Sequence, residues 1–273
     1  MAFQTHEKQG LIWLTSESLS LPGLVHGFST RPGGVSAPPW DSLNLGPSRG
    51  DGIACVQENY RRFCAAIGAD EHRTVLSHQM HEDNVRLVTA EDAGKGLWQE
   101  RDYESVDAMI CNTPGMALTV FSADCGIILL YDPVHRAVGA VHAGWRGTAL
   151  GLVKKAALEM QRHFDTDPRD LHCAIGAAIG QCCFETDDDV PTALRAALGA
   201  EANAYMEQCG VKWHIDLKGL NAHLLRSIGV EHIDICPHCT ACRPDLYWSH
   251  RKMGNERGLQ VAMIALKDGE GRL

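Results

Sequence analysis

The chain has 273 residues, of which 45% are hydrophobic, and its formal net charge is -9. This acidic balance, without any run of Lys or Arg, argues against a protein that binds duplex nucleic acid through a basic face. The hydrophobic fraction is sufficient for a globular core. No apolar stretch approaches the roughly 20 residues that a transmembrane helix needs. We therefore expect neither a nucleic-acid partner nor a membrane partner.

The apolar pattern predicts short strands interspersed with a few helices. In the first half of the chain the predicted elements are strands at 11–14 and 23–29, a long polar loop at 31–50, a helix at Ile53–Ile67 ended by Gly68, and a strand pair at 74–79 and 84–89 with His81 in the connection. In the second half they are strands at 106–111, Ala117–Ser122, 126–131 and 137–142, a helix at 148–164 capped by Thr148, a strand at 171–179, helices at 187–198 and 217–227, and strands at 232–236 and 259–266.

This order indicates an α+β fold over a single domain, residues 1–273, with a large, mainly antiparallel or mixed sheet and helices packed against it. A dinucleotide-binding fold is excluded because the chain has no Gly-x-Gly-x-x-Gly and its strands do not alternate regularly with helices.

The cysteine content bears on the cellular compartment. Eleven cysteines are an odd number, which argues against a complete disulfide framework. The first 21 residues lack the basic segment and apolar core of a signal peptide. We expect a cytoplasmic protein whose thiols are reduced.

Three potential metal ligands stand at the ends of predicted strands. Cys125 follows one apolar run, His142 ends another, and His81 follows a third. One thiolate and two imidazoles can hold a zinc ion and leave a coordination position for a water. Spacing alone leaves open the alternative that each is a buried or turn residue without a shared role.

A second group of cysteines lies in the segment from Cys236 to Cys242. Cys236, Cys239 and Cys242 form two overlapping Cys-x-x-Cys pairs, but no fourth ligand follows at a standard spacing. The iron–sulfur and zinc-deaminase patterns also fail by residue identity. We expect these cysteines to form no independent metal site and to pack in a loop near the pocket.

Short motifs distributed over most of the chain resemble one known family. They are His26-Gly27-Phe28-Ser29-Thr30-Arg31, Gly33-Gly34-Val35-Ser36, Ser42-Leu43-Asn44-Leu45-Gly46, Gln79-Met80-His81, Ser122-Ala123-Asp124-Cys125, His142-Ala143-Gly144-Trp145-Arg146-Gly147, Gly180-Gln181-Cys182-Cys183-Phe184-Glu185, Cys239-Thr240 and Ser249-His250-Arg251. With these residues the chain resembles the polyphenol oxidoreductase or laccase-domain proteins, also called purine nucleoside phosphorylases of this type and peptidoglycan editing factors.

The resemblance implies a zinc enzyme that acts on purine nucleosides. It implies that His81, Cys125 and His142 bind the metal and serve catalysis. It also implies phosphorolysis of adenosine, inosine, guanosine or methylthioadenosine, and deamination of adenosine. The fold it implies is a single α+β domain.

Four residues are predicted to bind substrate. Arg31 and Arg146 lie in Gly-rich loops and are candidates for holding phosphate, and His26 and Asn44 come from the matched motifs. One position departs from the family pattern, which usually has Gly where this chain has Glu82. That carboxylate either contacts the metal or its water, or faces solvent.

Three alternatives remain at this stage. A copper polyphenol oxidase is the first, although the chain lacks the His-x-His and His-Cys-His sets of multicopper oxidases; Cu²⁺ could still occupy the site in vitro. The second is an amidase that edits peptidoglycan precursors, with Cys125 as nucleophile and His142 as base. The third is a binding protein with a structural metal.

Overall fold

The strands form two six-stranded sheets and one three-stranded sheet in the computed structural model, which describes residues 2–268. Residues 1 and 269–273 of the predicted domain lie outside the described residues. The order of the first sheet is β1 (Phe3–Lys8), β2 (Leu11–Ser16), β3 (Leu24–Ser29), β15 (Gln260–Leu266), β7 (Ala117–Ser122) and β4 (Thr74–Leu76). All its pairings are antiparallel except that of β4 with β7.

The second sheet is also mixed. Its order is β14 (His232–Ile235), β10 (His172–Ile175), β8 (Gly126–Asp132), β9 (Ala137–Ala143), β6 (Ala108–Cys111) and β5 (Val85–Leu87). The outer pairs β14–β10 and β5–β6 are parallel, and the inner pairs are antiparallel. The small antiparallel sheet contains β11 (Glu185–Thr186), β13 (Lys212–Ile215) and β12 (Met206–Cys209).

Six α-helices and four 3₁₀ helices are present among the described residues. The α-helices are α1 (Ile53–Ile67), α2 (Trp145–Ala149), α3 (Leu152–Phe164), α4 (Asp189–Leu198), α5 (Leu217–Arg226) and α6 (His250–Met253). The 3₁₀ helices cover Glu71–Arg73, Ala90–Asp92, Pro168–Asp170 and Ala200–Tyr205. No helix in the described part of the chain is long and apolar enough to cross a membrane.

The two large sheets face each other across the central core. On β8, Ile127 and Leu129 point into this core, whereas Ile128 and Leu130 pack against helix α3 on the other side of the sheet. This alternation follows from the two-residue repeat of a strand. Both faces of β8 are therefore buried, which explains its continuous apolar sequence.

Helices cover the outer faces of the sheets. Helix α1 packs Val56, Tyr60 and Phe63 against the first sheet. It ends as predicted at Gly68, whose φ of 84° allows its N–H to reach the Cys64 carbonyl. Helices α3 and α5 cover the second sheet, so that the layers run helix, sheet, sheet, helix. The predicted α+β class with mixed sheets is confirmed, with the strands divided between two large sheets.

Three local predictions were wrong. The helix predicted over 148–164 is two helices, α2 and α3, because Gly151 takes a left-handed conformation with φ 66°. Thr148 lies inside α2 and is not a cap, and Gly144 is the N-cap residue of that helix. The strand predicted at 171–179 stops at Ile175, and the next residue, Gly176, passes so close to Phe28 that a Cβ there would lie 2.5 Å from its ring.

The third error concerns the strand pair around His81. Strand β4 pairs with β7 in the first sheet, whereas β5 pairs with β6 in the second. The two strands do not pair with each other, because the connection that carries His81 crosses from one sheet to the other. That crossing places His81 where the two sheets meet.

Candidate metal centre

Cys125 lies in the short connection by which the chain passes from β7 in the first sheet to β8 in the second. Asp124, just before it, has a φ of 102°, a left-handed conformation that costs energy in a residue with a side chain. Its carboxylate accepts hydrogen bonds from the Thr240 hydroxyl at 2.6 Å and the Arg251 backbone N–H at 2.7 Å. These bonds hold the turn that presents the Cys125 thiol.

His142 lies near the end of β9 and is almost completely buried. Its Nδ1 is 2.8 Å from the carboxylate of Asp107, a fully buried residue just before β6. This hydrogen bond leaves the Nε2 of the His142 ring available to bind another partner. A carboxylate on the far nitrogen is the usual support for a histidine that binds a metal, because it fixes the tautomer and the ring orientation.

The same Asp107 carboxylate also positions His81. It accepts the backbone N–H groups of Met80 at 2.9 Å, His81 at 3.2 Å and Glu82 at 3.2 Å. His81 itself is left-handed, with φ 62°. The buried Asp107 carboxylate thus orients both imidazoles. It bonds to the ring of His142 and to the backbone of the turn that carries His81.

Gln79 ties the His81 loop to the strand that leads to Cys125. Its side-chain amide accepts from the Phe121 N–H at 2.7 Å and donates to the Phe121 carbonyl at 3.0 Å. The Gln79 amide thus makes the two hydrogen bonds to Phe121 that the backbone of a neighbouring strand would make.

The three predicted ligands come together. The Cys125 Sγ is 3.9 Å from the His81 Nε2, and the two imidazole rings are 5.0 Å apart at 82°. One ligand atom from each of the three residues lies within 4.8 Å of the other two. Tetrahedral zinc, with a Zn–S distance of about 2.3 Å and Zn–N of about 2.0 Å, needs ligand atoms about 3.5 Å apart. Small side-chain movements therefore suffice to close the site on an ion.

Electrostatics support ligation by Cys125. Burial opposes ionisation of this thiol, but the two neighbouring imidazoles, above all His142, lower the pKa of Cys125 to about 6. Burial likewise opposes protonation of His142, but Cys125 and Asp107 raise the pKa of that imidazole to about 9. At neutral pH the metal-free protein therefore holds a thiolate and an imidazolium side by side, and a metal ion would replace the imidazolium proton.

A cavity of about 360 Å³ opens beside the three ligands. This volume lies at the lower end of the range for small-molecule sites, roughly 300–1,000 Å³. The residues lining it are Pro47, Ser48, Arg49, Ser77, His78, Gln79, His81, Arg101, Phe121, Ser122, Ala123, Cys125, His142, Arg257 and Leu259.

Arginines of this cavity carry buried nitrogen atoms that lack hydrogen-bond partners. These atoms are Nε of Arg49 and both Nε and Nη1 of Arg257. Burial, followed by the charge of neighbouring Arg49, lowers the pKa of Arg257 to about 10. Unsatisfied buried donors of positive charge are costly, so the cavity is suited to an anion.

These two arginines were not predicted from the sequence. Arg49 lies in the long loop over 31–50, and a loop of that length without a periodic pattern was a signal for function. Arg257 stands in a short connection before β15 and gave no signal in the sequence.

The four predicted substrate-binding residues lie elsewhere, since none of them lines the cavity. Arg31 donates to the Asp41 carboxylate and to the carbonyls of Asp41 and Pro244, and it stacks on Trp248. Arg146 is exposed and stacks on its neighbour Trp145.

His26 and Asn44 are buried and make internal hydrogen bonds. His26 accepts the Ser16 N–H, and Asn44 accepts the N–H groups of Gly46 and Leu259. A role in substrate binding stays a prediction for all four residues. Glu82 is exposed, accepts a hydrogen bond from the Ser105 hydroxyl and is not among the three grouped ligands.

The cysteines of the 236–242 segment have neighbours that their spacing in the sequence did not indicate. Cys239 and Cys242 lie together with Cys182 and Cys183, which come from a loop about 60 residues earlier in the chain. The spacing rules failed because they consider only neighbours in sequence. Cys236 is buried in the central core and stands outside this group.

Known proteins share both the sequence and the fold. The chain is 32% identical over 251 residues to purine nucleoside phosphorylase YlmD of Bacillus subtilis, covering 90% of this chain and 89% of that protein. It is 35% identical over 264 residues to a purine nucleoside phosphorylase of Deinococcus radiodurans, covering 96% of each. The crystal structure of YlmD from Geobacillus stearothermophilus superposes with a TM-score of 0.89 at 32% identity, covering 98% of this chain and 99% of that one.

The family model described as multi-copper polyphenol oxidoreductase laccase matches residues 25–267. This span contains all three grouped ligands, the carboxylate that orients them and the arginines of the cavity. The chain therefore belongs to the laccase-like polyphenol oxidoreductase family.

Proposed function

We propose that the protein is a zinc-dependent purine nucleoside phosphorylase. The observation that carries the proposal is the meeting of one thiolate and two imidazoles with an arginine-lined cavity of about 360 Å³. The names of the relatives supply the substrate class. Phosphorolysis needs a bound anion and a site for the nucleoside, and the cavity offers features suited to both.

The donor set fits zinc. Two imidazole nitrogens and one thiolate are ligands that zinc accepts, and three protein ligands leave one position for a water or substrate, as in catalytic zinc sites. Bound zinc supplies a Lewis acid at the edge of the cavity. The same donors are also ligands for Cu²⁺, so we expect that copper added in vitro can occupy the site.

Phosphate would lie against Arg49 and Arg257. Cleavage of the N-glycosidic bond builds positive charge on the ribose and negative charge on the departing purine, so the attacking phosphate must be held close to the ribose. The free donors of these guanidinium groups match a doubly charged oxyanion. The cavity geometry favours them over Arg31, whose guanidinium is already engaged, and over exposed Arg146.

The apolar part of the lining suits a purine ring. Phe121 and Leu259 face the cavity from strand β7 and from the residue preceding β15, and Pro47 comes from the long loop. Aromatic and aliphatic side chains bind flat heterocycles mainly through burial of apolar surface. We propose adenosine, inosine, guanosine and methylthioadenosine as substrates, with deamination of adenosine as a second activity.

The test is a product analysis. Zinc-loaded protein is incubated with each nucleoside, with and without inorganic phosphate, and the products are identified by chromatography and mass spectrometry. We expect free base and ribose 1-phosphate only when phosphate is present, and inosine from adenosine in either case. If no purine nucleoside gives base or deaminated product, the proposal fails.

The arginine assignment has its own test. Arg257→Gln should raise the KM for phosphate by about tenfold to a hundredfold, as expected for the loss of a charge-assisted hydrogen bond of about 1.5–3 kcal/mol. The KM for the nucleoside should change much less. Arg162→Gln, on the exposed outer face of α3, is the matched control and should leave both constants unchanged. An unchanged phosphate KM in Arg257→Gln would show that the anion binds elsewhere.

A second candidate function rests on a different feature of the same residues. Cys125, His142 and Asp107 also form the thiolate, imidazole and carboxylate series of a cysteine hydrolase, which would suit an amidase acting on peptidoglycan precursors. Metal analysis separates the two candidates. Activity on an amide substrate by metal-free protein would favour the hydrolase, whereas loss of all activity with the metal would exclude it.

The cysteines support a location in the cytoplasm. All eleven are unpaired. Free thiols in this number persist in a reducing compartment. We therefore propose that the enzyme acts there, which subcellular fractionation of its host would test.

A further inference from the structure

Four cysteine thiols outside the group of His81, Cys125 and His142 gather between two loops. Cys182 and Cys183 lie in the loop between β10 and β11, and Cys239 and Cys242 lie in the loop between β14 and α6. A bridge between Ala178 and Cys239 joins the two loops. The proposed nucleoside chemistry does not use this cluster.

The distances between the sulfur atoms are those of a metal site. Cys182 Sγ is 3.8 Å from Cys183 Sγ and 3.6 Å from Cys242 Sγ, and Cys183 Sγ is 3.4 Å from Cys242 Sγ. All four sulfur atoms lie within 4.8 Å of one another. A regular tetrahedron with Zn–S bonds of about 2.3 Å has edges of about 3.8 Å. The cluster therefore already has nearly the size that zinc requires.

Two groups near the cluster favour negative charge on it. The backbone N–H of Gly180 donates to the Cys239 Sγ at 3.1 Å. The ammonium group of Lys218, itself largely buried, donates to the carbonyls of Cys236 and His238 in the same loop. A zinc ion with four thiolates carries a net charge of -2, so a nearby buried cation lowers the cost of holding it.

The cluster is also accessible. Cys182 and Cys242 are exposed and Cys183 is partly exposed, whereas Cys239 is buried. An ion can therefore enter from solvent and be enclosed on its inner side. Cys236 does not belong to the cluster, because its side chain packs in the central core.

We propose that Cys182, Cys183, Cys239 and Cys242 bind a structural zinc ion, distinct from the metal held by His81, Cys125 and His142. The site joins two loops that are both bonded to the turn carrying Cys125. From one loop, Thr240 donates to the Asp124 carboxylate at 2.6 Å. The other loop is held through Arg251. Its guanidinium donates a hydrogen bond to the Cys183 carbonyl, and its backbone N–H donates to the Asp124 carboxylate. The second zinc thus stabilises the support of the first.

Metal analysis of the whole chain, purified under reducing conditions without added metal and loaded with zinc chloride, tests the proposal. Wild type should bind about two zinc ions per chain, and Cys242→Ser and Cys125→Ser should each bind about one. Cys236→Ser is the matched control, because it removes a buried thiol of the same segment outside the cluster, and it should keep both ions. Two ions in Cys242→Ser, or a single ion in wild type that Cys125→Ser loses and Cys242→Ser keeps, would overturn the proposal.

A spectroscopic measurement on the unmodified chain guards against a variant that fails to fold. Cobalt(II) in four thiolates gives intense sulfur-to-metal charge-transfer bands and tetrahedral d–d bands, whereas one thiolate with two imidazoles gives weaker charge transfer. Cobalt-loaded wild type should show the tetrathiolate spectrum in addition to that of the mixed site. Absence of the tetrathiolate spectrum would overturn the proposal. A disulfide between Cys242 and Cys182 or Cys183, detected by mass spectrometry in the metal-free native protein, would show a redox pair instead of a zinc site.

Discussion

At the scale of single residues, Asp107 organises the candidate metal centre although it binds no metal itself. It receives the Nδ1 of His142 and three backbone N–H groups of the His81 turn. Burial opposes ionisation of this carboxyl, but His142 above all, with the N–H groups of Met80 and Glu82, lowers its pKa below the usual value. A single carboxylate therefore fixes the orientation of both imidazoles.

Asp107→Asn should weaken zinc binding by about 10-fold to 100-fold, because an amide holds the imidazole less firmly and lowers its basicity. Competition with a chromophoric chelator measures the change. Asp132→Asn is the matched control, since Asp132 is equally buried and accepts from the backbone of Val134 and His135 and from the His135 ring. Equal zinc affinity in wild type and Asp107→Asn would contradict the role given to Asp107.

At the scale of elements, the junction of β9 and α2 leaves no room beside the ligands. A Cβ on Gly144 would lie 2.9 Å from the Cys125 Sγ and 3.3 Å from the His81 Cδ2. The backbone of Gly144, with φ -69° and ψ -176°, suits any residue. The requirement for glycine here is therefore space for the ligands and not a special conformation.

Gly144→Ala should accordingly reduce zinc occupancy and activity together while the fold is retained, because the added methyl group pushes two ligands apart. Gly147→Ala is the control from the same helix, since its Cβ would meet only ordinary contacts at 3.5 Å or more. Metal analysis and circular dichroism check both variants. If Gly144→Ala binds zinc as tightly as wild type, the ligands have more freedom than the structure shows.

At the scale of the whole molecule, polar contacts join the two large sheets around strand β2. His26 accepts the Ser16 N–H, and the Ser16 hydroxyl donates to Asp234 on β14 of the other sheet. Burial lowers the pKa of His26 from 6.5 to about 4. The unfolded chain therefore binds a proton at this residue between these values, whereas the folded chain does not, and the free energy of unfolding falls as the pH drops.

Titration of His26 should lower the free energy of unfolding by about 2 kcal/mol between pH 7 and pH 5. His26→Gln keeps an acceptor for Ser16 but does not titrate. Between pH 7 and pH 5 its free energy of unfolding should therefore fall by about 2 kcal/mol less than that of wild type. Urea unfolding at several pH values measures the difference. His72→Gln, at an exposed position, is the control and should follow the wild-type profile. Parallel profiles for wild type and His26→Gln would show that His26 is not the group responsible.

Much of the fold was accessible from the sequence. Apolar runs with turn residues between them located β6 to β9, and helical spacing followed by Gly68 located α1, because local conformational preference and burial act together in these segments. The strand pair around His81 was assigned wrongly for a physical reason. Nearness in the sequence suggested that β4 and β5 pair, whereas the connection that carries His81 crosses from one sheet to the other, and no local pattern of residues records that crossing.

The sequence by itself indicated His81, Cys125 and His142 as candidate metal ligands, because the motifs that carry them resemble those of one family, whereas their spacing alone left open whether they act together. Only the tertiary structure decided what surrounds them. Arg257 reaches the cavity, and Cys182 meets Cys242, through contacts between loops far apart in the chain. Such contacts arise because packing two sheets face to face brings their connections together, and no local pattern of residues records that geometry.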